Sequence, residues 1–218
     1  MPSKTVEKTS QTHWFGNIKY VWLDKSFGYV LLTWFIMGFA NLWTLPLRVD
    51  YITAPEWGIE GSAIFVAMII TVIPETLRML LIPYWASLFD RMNFVVLRMI
   101  LNLFFGLGVL LFFVTSNPWV IGLGAALIGA AFAGGSIAWN LWVTKYAPPG
   151  KTGAYMSVHV SLTGIRGTIG PILGYWTVNQ IGAQNIGILS CAMMFFATLM
   201  LIPEIKHGRN MLLKGKSL

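Results

Sequence analysis

Four ionisable side chains stand in stretches otherwise apolar enough to leave water. Glu75 and Arg78, in "VIPETLR", are three residues apart and can meet on one helix face. His159 and Arg166, in "YMSVHVSLTGIRGTIGPILGYW", are seven apart, about two helical turns, and project from nearly the same face. By insertion scales an arginine at mid-membrane costs roughly 2.5–3.5 kcal/mol, so it demands a negative partner or a water-filled cavity. Two readings follow for Arg166. It pairs permanently with Glu75 across a helix bundle, or it handles a solute or protons together with Glu75, Arg78 and His159. Taken alone, His159 reads as a neutral imidazole hydrogen-bonded between helices, and Glu75 with Arg78 as a self-neutralising pair. Asn41 and Asn140 are the uncharged polar residues placed to line the same cavity. One cysteine and three histidines, with no clustered His and Asp motif, leave no metal site or nucleophile constellation. Neither an enzyme nor a cofactor is expected, and Cys191 reads as packing.

The elements that must hold these residues are membrane helices. The chain has 218 residues, 56% hydrophobic and 11% charged, too few polar groups to clothe a soluble globule. A bilayer core about 30 Å thick takes roughly 20 apolar residues as a helix, because every backbone amide must be satisfied within its own segment. Six stretches qualify, at about 28–47, 61–83, 94–115, 119–142, 155–177 and 186–203. The expected organisation is an amino-terminal segment over 1–27, a six-span domain over 28–203 and a basic tail over 204–218. In the first segment, Trp14, Ile18, Val21 and Trp22 at helical spacing read as a helix lying in the interface. No cleavable signal is expected there, since Lys4, Lys8, Lys19 and Lys25 leave no continuous apolar core.

Of the 15 Lys and Arg residues, all but Arg48, Arg78 and Arg166 fall on one side of these spans; Asp50, Glu56 and Glu60 gather on the other. The positive-inside rule puts both termini in the cytoplasm. The net charge of +7 is then a fringe facing anionic lipid, which excludes nucleic acid as the expected partner. The expected location is the inner cell membrane, as a multi-pass protein.

Small residues mark the contacts between spans. Gly167, Gly170, Pro171 and Gly174 surround Arg166 in the fifth span, and the step from Gly170 to Gly174 makes a small-xxx-small seam that Pro171 interrupts. The fourth span carries Ala126, Ala130 and Gly134 in one four-residue row and Ala125, Gly129 and Ala133 in another. Beyond them, Trp142 reads as an interface anchor. The third and sixth spans look lipid-facing. Aligning spans one to three with four to six puts ionisable residues in the second member of each triplet, which suggests a three-plus-three repeat.

The second turn reads "ASLFDRMNFVVLR", which resembles the major facilitator superfamily signature Gly-x-Leu-Ala-Asp-Arg-x-Gly-Arg-Lys. Leu88, Asp90 and Arg91 match in register, while Ala86 and Asn93 replace the glycines and Phe94 and Val95 the basic pair. The stretch "APPGKTGAYMSVHVSLTGIRGTIGPILGYW" resembles the fifth helix of a carboxy-terminal superfamily half with its preceding loop. The resemblance implies one six-helix half of an all-α transporter that exposes a central site alternately to either side. It implies a partner too, a second six-helix half or a second copy in a homodimer. The basic interior favours an anionic small solute, with Glu75 or His159 as the residue for proton coupling. By the same resemblance, Asp90 would face the start of the fifth span near Gly153 and Ala154 and act as a gate. The rival expectation is a non-transporting membrane subunit whose buried charges only lock helices together.

Overall fold

The computed structural model describes residues 14–57, 59 and 61–208. Lys4, Lys8, Glu60, Arg209, Lys214 and Lys216 lie outside them. The described chain is helical: α1 (Trp14–Asn17), α2 (Tyr20–Leu23), α3 (Lys25–Thr44), α4 (Leu47–Thr53), α5 (Ala63–Ala67), α6 (Ile73–Arg91), α7 (Phe94–Phe113), α8 (Pro118–Tyr146), α9 (Thr152–Ile181) and α10 (Ala183–Met200). A π-helical turn, Met68–Val72, joins α5 to α6. It ends two residues before Pro74, whose missing N–H leaves a carbonyl of that turn without its regular α partner.

Five stretches are long and apolar enough to cross a membrane: Lys25–Thr53, Ala63–Arg91, Phe94–Phe113, Pro118–Tyr146 and Ala183–Gly208. At 30 residues α9 has the length but is not among them. It carries His159, Arg166 and several glycines and hydroxyls. It also runs unbroken through Pro171, where an interruption was expected; membrane helices can re-satisfy the carbonyl that a proline frees.

Packing follows a chain of neighbours. α6 lies along α8, α8 along α7, α7 along α10, α10 along α3, and α3 along α9. Glycines set the closest approaches. A Cβ on Gly124 of α8 would stand 2.8 Å from the Gly108 carbonyl oxygen of α7, and one on Gly174 of α9 would stand 2.5 Å from that of Trp43 in α3. These seams let backbones meet where larger side chains would hold them apart.

The expectation of a lipid-facing third span is reversed. In α7 56% of the apolar window is buried, against 6% in the stretch containing α6. The cause is position, since α7 lies between α8 and α10. Leu, Phe and Val suit lipid and a packed interior equally, so composition could not separate the two. Trp142, read as an interface anchor, is fully buried against Phe27, Trp34 and Tyr146.

At one end of the bundle, Asp24 caps α3 by accepting from the Phe27 N–H at 3.0 Å, and it accepts from the Tyr155 hydroxyl at 3.2 Å. Ser26 donates to Glu204 at 2.6 Å and Asn93 to the Ile205 carbonyl at 2.8 Å. The start of α3, the α6–α7 and α8–α9 turns and the end of α10 therefore meet at this end, together with Lys19, Lys25, Arg91, Lys145, Lys151 and Lys206. Among the described residues before α3, two short helical turns, α1 and α2, stand in place of one helix. Asn17 ties α1 to α9 through Ser157 at 3.0 Å.

Candidate functional site

The residues of α3, α7, α8 and α9 line a partly open cavity of about 360 Å³, which Arg78 reaches from α6. The helices build it by pairing a small residue with a large one. Gly38 on α3 leaves the space in which the Arg166 guanidinium lies, for a Cβ there would collide with it. Arg166, 6% exposed, donates to the Trp34 carbonyl and to the Thr163 hydroxyl, the latter at 3.3 Å. A main-chain carbonyl stands open to the arginine because the neighbouring turn presents no side chain at Gly38. On α7, Arg98 is 2% exposed; its guanidinium lies 3.5 Å from the Trp34 ring centre and donates to the Met37 sulfur at 3.1 Å. Phe105, Phe132, Trp139 and Leu42 supply apolar walls, and Ser136 and Asn41 add polar ones.

Glu75 does not meet Arg166. It pairs with Arg78 on its own helix at 3.3 Å, as the three-residue spacing allows, and this is the single ion pair among the described residues. Glu75 borders a smaller cavity of about 130 Å³ beside Arg48 and Pro74. Arg48, also buried, donates to the Asn41 side-chain oxygen at 2.7 Å. His159 shares the inward face of α9 with Arg166 but is sealed behind aromatic rings. Trp34, Trp139 and Trp142 lie 5.4, 5.1 and 5.3 Å from it, centre to centre. Asn140 points outward and donates to the Ser136 carbonyl at 2.7 Å, whereas its neighbour Trp139 lines the cavity; one residue is about 100° of helix rotation. Gly170 and Gly174 pack on Leu42 and Trp43 of α3, while Gly167 is exposed and Pro171 half-buried.

A model of the Major Facilitator Superfamily matches residues 26–216. The chain belongs to that superfamily. No curated protein and no solved structure matches it. As a superfamily member it is an integral, multi-pass membrane protein of a transporter family, whose members carry small solutes and are not enzymes. Leu88, Asp90 and Arg91, the residues that resemble the superfamily signature, lie in the last turn of α6 and are exposed. Among the described residues Asp90 makes no hydrogen bond, and its helix packs on α8 while the start of α9 packs elsewhere.

Two arginines of the site were not singled out from the sequence. By position in the sequence Arg98 stands with the cations on the side of the spans expected to be cytoplasmic, and Arg48 stands apart from them. The signal for Arg98 was its spacing: with Leu97, Leu101, Asn102 and Phe105 it forms the buried stripe of α7.

Proposed function

We propose that the chain is one six-helix half of a secondary transporter that moves a small solute by alternating access, in an inner cell membrane with both termini cytoplasmic. The observation that carries this reading is the arginine-lined cavity, opening between helices that are otherwise apolar. α9 serves as the fifth span and completes the six, with His159 and Arg166 on its inward face. The packing supports a three-plus-three repeat, since α3 pairs with α9 and α10 as α8 pairs with α6 and α7. The end where the lysines gather supports the orientation.

The nearly bare face of α6 supports assembly with a second half or a second copy, since so little of the Ala63–Arg91 stretch is covered within this chain. By the signature it resembles, Asp90 gates by meeting the start of α9 near Gly153 and Ala154 in another state of the transport cycle; its exposure here leaves it open to that contact. Glu75 is the better candidate for proton coupling, being 54% exposed where His159 is sealed. The scaffold reading in its ion-pair form requires opposite charges on different helices; among the described residues the one ion pair lies within a single helix, and the buried arginines meet only uncharged groups of α3 or their own helix.

Labelling tests alternating access. In a Cys191→Ser background, Ser136→Cys should react with an impermeant maleimide from either face of sealed vesicles. Reaction from one face only, in every condition tried, overturns the proposal.

A further inference from the structure

The cavity is unusual in what it lacks. Arg78, Arg98 and Arg166 line it, and among the described residues no carboxylate does. Glu75 answers Arg78, which leaves Arg98 and Arg166 without an acidic partner among the described residues. Their partners are a carbonyl, a hydroxyl, a thioether and an indole ring, none of which carries charge. The Arg166 Nε is buried with no acceptor.

Asn41 adds to the same imbalance. Arginine can only donate, so the Asn41 oxygen must face Arg48 and the amide NH₂ is left as a donor at the cavity edge. The site therefore offers many donors and two uncompensated positive charges, beside a wall of Phe105, Phe132 and Trp139. A group that accepts without donating satisfies it, and guanidinium forks match oxyanions in plane. About 360 Å³ lies at the small end of the range for ligand pockets.

We propose that this cavity binds a small organic dianion, with an oxyanion head held by Arg98 and Arg166 and an apolar body against Phe105, Phe132 and Trp139. The inference names the solute class for the transport reading above and rests on it only for the claim that the ligand is cargo.

Binding is measured on the full chain in detergent through tryptophan fluorescence, since Trp34 and Trp139 border the site. The probes are phenyl phosphate, benzoate, inorganic phosphate, benzyl alcohol and benzylamine. Phenyl phosphate should bind tightest. Benzoate and inorganic phosphate, each lacking one charge or the apolar body, should bind at least about tenfold more weakly, and the alcohol and the amine should not saturate the signal. Arg166→Gln and Arg98→Gln should each weaken phenyl phosphate by about tenfold or more, and Arg166→Lys by less. Phe132→Ala should weaken phenyl phosphate and leave inorganic phosphate unchanged. Should Arg98→Gln not fold, the Arg166 and Phe132 variants carry the comparison. Failure of phenyl phosphate to bind, or equal binding of benzyl alcohol or benzylamine, overturns the proposal. The transport reading fails separately. Phenyl phosphate bound but never carried by the assembled halves counts for this site and against transport, and uptake of a cation with no phenyl phosphate binding does the reverse.

Discussion

Replacing Gly129 by alanine sets two physical effects against each other. Alanine is favoured over glycine within a helix by about 0.8–1.0 kcal/mol, so propensity alone makes the variant more stable. The structure points the other way. A Cβ at Gly129 would lie 2.5, 2.6 and 2.9 Å from the oxygen, Cα and carbonyl carbon of Pro74, all backbone atoms of α6. Ordinary contact requires α6 to move off by roughly 0.5–1 Å, a gap that forfeits a quarter to a half of each contact's dispersion well. Overpacking of this kind costs about 1–3 kcal/mol, and the net expectation is a loss of about 0–2 kcal/mol. Gly122 is the control. It sits on the same helix, and its Cβ would meet only the Ile69 Cδ1, at 3.7 Å. Gly122→Ala should therefore gain up to about 1 kcal/mol. Unfolding of both variants in detergent, followed by tryptophan fluorescence, reads the difference. Equal gains in the two variants would refute the claim that α6 and α8 touch backbone to backbone at Pro74.

Other outcomes follow from the same contacts. Because Arg166 and Glu75 share no partner, stability losses in Arg166→Gln and Glu75→Gln should add to within about 0.5 kcal/mol; recovery in the double variant would show a pair this structure lacks. Asp24→Ala removes a helix cap and the acceptor for Tyr155, and should cost about 1–2 kcal/mol in detergent unfolding. Tyr155→Phe should lose the smaller part of that. Asp90→Asn should leave the fold intact while raising maleimide labelling of Ser136→Cys from the cytoplasmic side; lower expression with unchanged labelling would reduce Asp90 to a turn residue.

Helix positions were legible in the sequence because membrane spans announce themselves by length and apolarity. The expected third span, 94–115, differs from α7 by two residues at its end. Neighbours were not legible. Arg98 looked like a boundary cation, since nothing along the chain says that Trp34, sixty-four positions earlier, offers its ring as a lid. The same holds for Arg166. Its cost at mid-membrane was evident, but its acceptor is a main-chain carbonyl, which every residue carries and no residue type signals. Asn140 and Trp142 failed for a simpler reason: polarity suggested the cavity for one and the interface for the other, and the rotation of α8 decided otherwise.

The π-helical turn at Met68–Val72 acts as a phase shifter. A wide turn takes up about one residue more than an α-turn of the same rise, which rotates everything after it by about 100° relative to an unbroken helix. A helical wheel drawn straight through from Ala63 to Arg91 therefore misassigns the faces of Glu75 and Arg78. Length and orientation are thereby uncoupled in this span. Deleting one residue from Met68–Val72 would scarcely shorten the helix but would turn Arg78 away from its cavity, like a key cut correctly and inserted at the wrong angle. The signature would be a folded chain with the apolar seam on α8 disturbed and Arg78 gone from the lining of the cavity.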